Sequence, residues 1–195
     1  MPRDLSIFPL NSVLYPEGTL LLQIFEPRYL SMVSDCLCND KPFVVTLIEE
    51  GEESGVAASF REIGTLASIN DFNQNNKGLL EISCQGKSLV HIVNHQVCKD
   101  ELIVGQIEEL PIFQEMKLPP EYPIFLNFFK NIVNREGMAK YQDSLKEDWD
   151  NPEWLSSRLS EILPLSQSQH YELLIAEPLE RFCMLKQIML NKGWF

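Results

Sequence analysis

The chain has 195 residues, 45% of them hydrophobic and 23% charged, the composition of a folded globular chain and not of a disordered one. Sixteen basic against 28 acidic residues leave a net charge of −12, and a field of that sign argues against nucleic acid and anionic membrane surfaces as partners. No apolar run approaches the roughly 18 residues of a membrane span, and Met1-Pro2-Arg3-Asp4 lacks the basic-then-apolar layout of a signal peptide, so a cytoplasmic protein is expected.

The first half reads as short strands. Candidates are Leu5–Leu10, Thr19–Phe25, Phe43–Glu49, Glu62–Phe72, Gly78–Cys84, Ser88–Asn94 and Leu102–Leu110. Several are rich in β-branched and aromatic residues, as in Phe43-Val44-Val45-Thr46-Leu47-Ile48. Asn73-Gln74-Asn75-Asn76-Lys77-Gly78 and Gln85-Gly86-Lys87 read as turns between strands. One helix interrupts the series: Pro27 suits a first turn, Tyr29, Leu30, Val33 and Leu37 recur at helical spacing, and Asn39-Asp40-Lys41-Pro42 ends it. Seven short strands at this spacing suggest a small barrel or sandwich.

The character changes near residue 110. The stretch Leu110-Pro111 through Tyr122-Pro123 is rich in proline, which cannot donate to a ladder. The expected organisation is a β-rich part over residues 1–110, a Pro-rich connector over 111–123 and a helical bundle over 124–195. Residues 1–110 carry 7 basic and 16 acidic side chains, and residues 111–195 carry 9 and 12. Phe113, Met116 and Leu118 are apolar for a linker, which predicts that some of them are buried between the two parts. Further on, Tyr122, Phe125, Leu126, Phe129, Ile132 and Val133 form a helical stripe. Asn151-Pro152-Glu153 is a cap followed by a first-turn proline, and it opens a helix that Pro164 stops. Ser166-Gln167-Ser168-Gln169 fits a capping box, and a last helix follows Pro178.

Chemistry is harder to find. Cys36, Cys38, Cys84, Cys98 and Cys183 form no disulfide framework, and no Cys/His pairs sit at zinc spacing, so neither a metal nor another cofactor is expected. Gly86-Lys87-Ser88 lacks the glycine that a phosphate loop needs five residues before the Gly-Lys pair, where Glu81 stands. His91 and His95 fall in a strand, where residues four apart are about 13 Å apart, too far to share an ion. No G-x-S-x-G elbow is present. Glu49, Glu50, Glu52 and Glu53 surround Gly51 in an acidic loop, which is either a solvated face or a surface that steers a basic partner.

The most informative stretch is Phe8-Pro9-Leu10-Asn11-Ser12-Val13-Leu14-Tyr15-Pro16-Glu17-Gly18, followed by Leu20-Leu21-Leu22-Gln23-Ile24-Phe25-Glu26-Pro27-Arg28-Tyr29 and Met32-Val33. It resembles the N-terminal, substrate-binding domain of Lon proteases, which reads roughly F-P-L, V-L-F-P-G, then an apolar strand into I-F-E-P-R-Y. The likeness continues through Phe43–Ile48, Ile63-Gly64-Thr65 with Ala67, and Gly78 to Gly86. Trp154, Arg158-Leu159, Leu163-Pro164, Gln169, Leu173-Leu174, Pro178 and Arg181 resemble the tail of stand-alone bacterial members. Two positions depart from the pattern: Leu89-Val90 replaces an Arg-Phe pair, and Pro16-Glu17-Gly18 replaces P-G.

The resemblance implies an α+β fold, a PUA-like β pseudo-barrel with an inserted helix followed by a C-terminal helical bundle. It implies a non-catalytic module that recognises polypeptide segments or a partner protein. The ATPase and Ser-Lys peptidase modules of full Lon proteases do not fit in 195 residues. Alternatives are a small-molecule or RNA-binding PUA-like module and an uncharacterised hydrolase. Within the family motif, Glu26, Pro27, Arg28 and Tyr29 have a structural reading. Glu26 faces the positive start of a helix and Arg28 ties down loop carbonyls or a carboxylate. Gly64 allows a strand bend or close backbone approach. Glu49, Glu50, Glu52 and Glu53 are the candidate partner-facing acids.

Overall fold

The computed structural model describes residues 3–111 and 118–194. The chain divides into two compact units, Met1–Pro111 and Ile112–Phe195. Phe113 and Met116, expected between them, lie outside the described residues, and Leu118 is half exposed.

The first unit contains strands β1 (Arg3–Leu10), β2 (Thr19–Ile24), β3 (Phe43–Glu50), β4 (Ser59–Gln74), β5 (Leu80–Val97) and β6 (Ile103–Glu109), with helix α1 (Pro27–Asn39) between β2 and β3. The sheet order is β2-β5-β4-β3-β1-β6, and β5 also pairs with β6. Strands β4, β3, β1, β6 and β5 thus close on themselves as a pseudo-barrel, and β2 stands outside the ring. Among the described pairings only β1 and β3 run parallel, from Ile7↔Val44 to Leu10↔Leu47. This suits their connection through β2 and α1, since parallel strands need a crossover.

Six described strands replace the seven expected, because Gly78–Cys84 and Ser88–Asn94 belong to one 18-residue strand, β5. Gln85-Gly86-Lys87 is not a turn. Gly86 is there for close approach: its N–H donates to the Gly18 carbonyl at 2.9 Å and its carbonyl accepts from Glu17 N–H at 3.1 Å. A Cβ at this position would run into the Tyr15 carbonyl. The crossing divides β5 in two along one edge, with Leu80–Gln85 paired to β2 and Val90–Val97 to β6. Glu17, at the departure from the family's P-G, takes a φ of 62°, a conformation that usually selects glycine.

The unbroken burial of Phe43 through Ile48 follows from two cores. Strand alternation sends Val44 into a cluster with Leu5, Ile7, Val90, Ile92, Ile103 and Ile107. Phe43 and Val45 point the other way, to Phe8, Ile24, Tyr29, Met32, Val33 and Ile82, where α1 packs. A strand apolar on both sides reads as a continuous run. Helix α1 ends where Asp40 turns left-handed, at a φ of 50°.

The second unit contains α2 (Tyr122–Val133), α3 (Ala139–Ser144), α4 (Pro152–Ile162), α5 (Gln167–Ile175) and α6 (Pro178–Lys192). Its core gathers Phe125, Phe129, Trp154, Leu155, Leu159, Leu173, Phe182, Leu185 and Met189. Asn151 accepts from the N–H groups of Glu153 and Trp154, and Ser166 forms the expected capping box with Gln169. Helix α3 has no fully buried residue and only Tyr141 packs against the core, so hydrophobic periodicity had little to mark. Arg181 is buried and distributes its guanidinium among neutral partners. Nε donates to the Leu173 carbonyl at 2.7 Å, Nη1 to Ser157 Oγ at 2.7 Å, and Nη2 to the Ala176 carbonyl at 3.0 Å. These carbonyls close the C-terminal end of α5, where positive charge is favourable.

Candidate functional site

The family-motif residues form a tether at the junction from β2 into α1. Pro27 opens the helix, and Glu26 precedes it without a side-chain cap bond. Arg28 is buried and stands 4.6 Å from the centre of the Tyr29 ring, which stacks on Phe8. Its Nη1 donates to the Glu101 carbonyl at 2.9 Å, and its Nη2 lies 3.1 Å from Glu26 Oε2. Nη2 also reaches the Glu53 carbonyl at 3.5 Å. Glu26 in turn accepts the Gly55 N–H at 3.2 Å, and Glu101 accepts the Ala57 N–H at 3.1 Å. Burial pushes the Tyr29 hydroxyl up to about 12, against the lowering effect of Arg28. Gly64 lies elsewhere, on β4 opposite Thr46, where an added Cβ would meet the Val45 carbonyl at 2.6 Å.

The acidic loop is therefore held against the same junction. All four acids are exposed. Glu53 accepts the Asn11 N–H at 2.6 Å and Glu49 pairs with Arg61 at 3.0 Å, so two of the four brace the loop from its surface.

A second feature escapes the sequence reading. Among the described residues, strand β2 has a ladder partner on one side only, β5. Its burial alternates, with Leu20 and Leu22 half-buried, Ile24 buried, and Thr19, Leu21 and Gln23 exposed. Leu21 is 74% exposed, Phe25 60% and Phe72 58%, large apolar side chains that the described fold leaves in water. Two grooves meet at Phe72. One, of about 570 Å³, lies against Ile24, Leu30, Leu79 and Leu80. The other, of about 480 Å³, runs over Leu21, Leu22, Gln23, Glu81 and Ile82. Their charged lining residues are Asp71 and Glu81, with no lysine or arginine. Glu81 is oriented by Gln23, whose Nε2 donates to it at 2.9 Å, and by Asn75 at 3.1 Å.

The signal for this surface was present but faint. Leu20-Leu21-Leu22 reads as a buried run because nothing local says that one of its faces lacks cover. Phe72 is an aromatic between Asp71 and Asn73 beside a turn, a place where a core residue is out of pattern.

The profile of the ATP-dependent protease La (LON) substrate-binding domain matches residues 4–192. The chain belongs to this family. A Lon N-terminal domain protein from Xanthomonas campestris is 29% identical and superposes with a TM-score of 0.77, covering 96% of this chain and 98% of that one. The N-terminal domain of a Mycobacterium avium complex Lon protease shares the fold at 12% identity and a TM-score of 0.70, over 94% and 96% of the two chains. A search of curated proteins gives no match. The mixed α+β architecture, sheet and helices together, is thus that of Lon N-terminal domains.

Other chemistry is sparse. Among the described residues, no group of three or more His, Cys, Asp or Glu side chains is arranged to hold a metal ion. All five cysteines are free. Burial pushes the Cys36 thiol up to about 11 and the Cys84 thiol up to about 12, which leaves little thiolate to react at neutral pH. No described helix is long and apolar enough to cross a membrane.

Proposed function

We propose that this member of the Lon substrate-binding domain family is a non-catalytic module that captures apolar segments of other polypeptides, and that the surface around Leu21, Phe25 and Phe72 is where it does so. The observation that carries this is the pair of apolar grooves meeting at Phe72 beside a strand with one open edge. Apolar anchors in such grooves supply most of the affinity. The acids Asp71 and Glu81 on the surface, with Glu50 and Glu52 on the nearby loop, favour segments that carry lysine or arginine and disfavour anionic ones.

Fluorescence anisotropy with labelled apolar-basic peptides tests this. Phe72→Ser and Leu21→Ser should each weaken binding about tenfold, the order expected from removing a buried anchor, with circular dichroism unchanged. Binding unaffected by both variants, or tighter binding of an RNA oligonucleotide under the same conditions, would overturn the reading. The purified chain should neither hydrolyse ATP nor cleave casein, and turnover abolished by a point mutation would contradict it.

A further inference from the structure

We propose that the captured segment is taken up as an extra β-strand, hydrogen-bonded to the open edge of β2. The inference deepens the polypeptide-binding reading and rests on it. In an antiparallel pair, successive residues turn their N–H and C=O groups alternately toward the partner and away from it. The Gly18 carbonyl accepts from Gly86 N–H, which fixes the phase: Leu20, Leu22 and Ile24 face β5. Thr19, Leu21 and Gln23 then direct their N–H and C=O groups away from the sheet. These are the same residues whose side chains are exposed.

Open edges are ordinarily protected by lysine, proline, a bulge or a covering element. Among the described residues, strand β2 shows none of these defences. Its sequence, Thr19-Leu20-Leu21-Leu22-Gln23-Ile24, contains no charge and no proline, and its pairing with β5 runs without a register shift from Thr19↔Gln85 to Ile24↔Leu80. A regular apolar edge of six residues is a template for an incoming strand about 20 Å long.

The residues and charges around β2 specify the occupant. A strand laid along β2 presents alternate side chains to its two faces. One set falls beside Leu21 and Gln23, and the other beside Leu22 and Ile24, while Phe72 on β4 lies beyond β5 on the other side of β2. Apolar side chains suit the leucines and isoleucine of β2. Strand β2 carries no charge of its own, and the carboxylate hydrogen-bonded to it is that of Glu81, which accepts from Gln23 Nε2 at 2.9 Å, in a chain with a net charge of −12. The matching ligand is therefore an extended apolar segment of another polypeptide carrying a lysine or arginine.

Backbone pairing can be tested separately from side-chain binding. The probe is a labelled peptide of about eight residues, alternating leucine and threonine between terminal lysines, made unmodified and in two forms N-methylated at odd or at even amides. Strand addition uses every other peptide amide, so one methylated form should lose about tenfold in affinity while the other binds nearly as the parent does. Hydrogen exchange of the saturated complex should slow at the Thr19, Leu21 and Gln23 amides and stay unchanged at Leu20, Leu22 and Ile24. If the parent binds but both methylated forms bind as it does, or both lose equally, strand addition is wrong and side-chain capture stands. If the parent does not bind, both readings fall. Protection of the same three amides without peptide, in a dimer seen by sedimentation, would make a second copy of this chain the occupant and overturn the proposal.

Discussion

Arg28 shows how one side chain holds a surface loop in place. Its guanidinium meets the Glu26 carboxylate and two carbonyls from distant segments, those of Glu53 and Glu101. Removing one partner of a buried ion pair leaves the other uncompensated, so Arg28→Met should cost about 3–5 kcal/mol in urea unfolding. Arg28→Lys should recover little, because a single ammonium cannot serve carboxylate and carbonyls in three directions. Wild-type stability in the lysine variant would show that charge alone suffices. His170 provides a residue-scale test of pH dependence. Burial lowers its pKa from 6.5, while a hydrogen bond with the Ser160 backbone acts the other way. The folded chain therefore binds fewer protons at this site than the unfolded chain does. The contribution is complete above about pH 6.5 and is lost as pH falls through the folded value. His170→Gln should flatten the fall in urea midpoint between about pH 7 and 5; an unchanged slope would place the titration elsewhere.

At the scale of elements, the decisive feature is that β5 serves β2 and β6 with different halves of the same edge. Gly86 makes this possible by letting the Tyr15–Gly18 segment cross at the division. A methyl group there must displace backbone, since the obstructing atom is the Tyr15 carbonyl. Gly86→Ala should destabilise the chain by about 1–3 kcal/mol, the usual range for overpacking. It should also release the β2 amides, seen as faster exchange at Leu20 and Leu22. Unchanged exchange would mean that β2 does not depend on the crossing. The helices follow local rules more simply. Asn151 and Ser166 cap α4 and α5 where a short side-chain acceptor precedes the first turn.

For the whole molecule, the proposed binding assigns net charge and apolar grooves to different steps: the charge of −12 to encounter, and the grooves to the lifetime of the complex. Stopped-flow measurements with a lysine-bearing apolar peptide should show association slowing as salt rises, since the Debye length falls to about 10 Å at 0.1 M. Dissociation should change little. Neutralising Glu50 and Glu52 should slow association again and leave dissociation alone. A dissociation rate that tracks salt as steeply as association would move the charges into the contact itself.

Much of this molecule is settled within a few residues of chain. Pro27 and Pro152 open their helices, Asn151 and Ser166 cap, Asp40 ends α1, and the spacing of Phe125, Phe129 and Val133 marks a buried face. Caps and periodicity act over one or two turns, so they are legible without a partner, and the motif from Phe8 to Tyr29 carried the family. Gln85-Gly86-Lys87 was misread because a glycine beside polar residues signals a turn locally, whereas its use here depends on Tyr15, about 70 residues earlier. The exposure of Leu21 was likewise hidden. Whether a leucine in an apolar run faces core or water depends on which strands arrive beside it, and among the described residues β2 acquires one ladder partner, from residues 80–85, and none on its other edge. Local sequence therefore determined the elements and the family. Only the tertiary pairing decided that β2 is an edge, because an edge is defined by a neighbour that does not come.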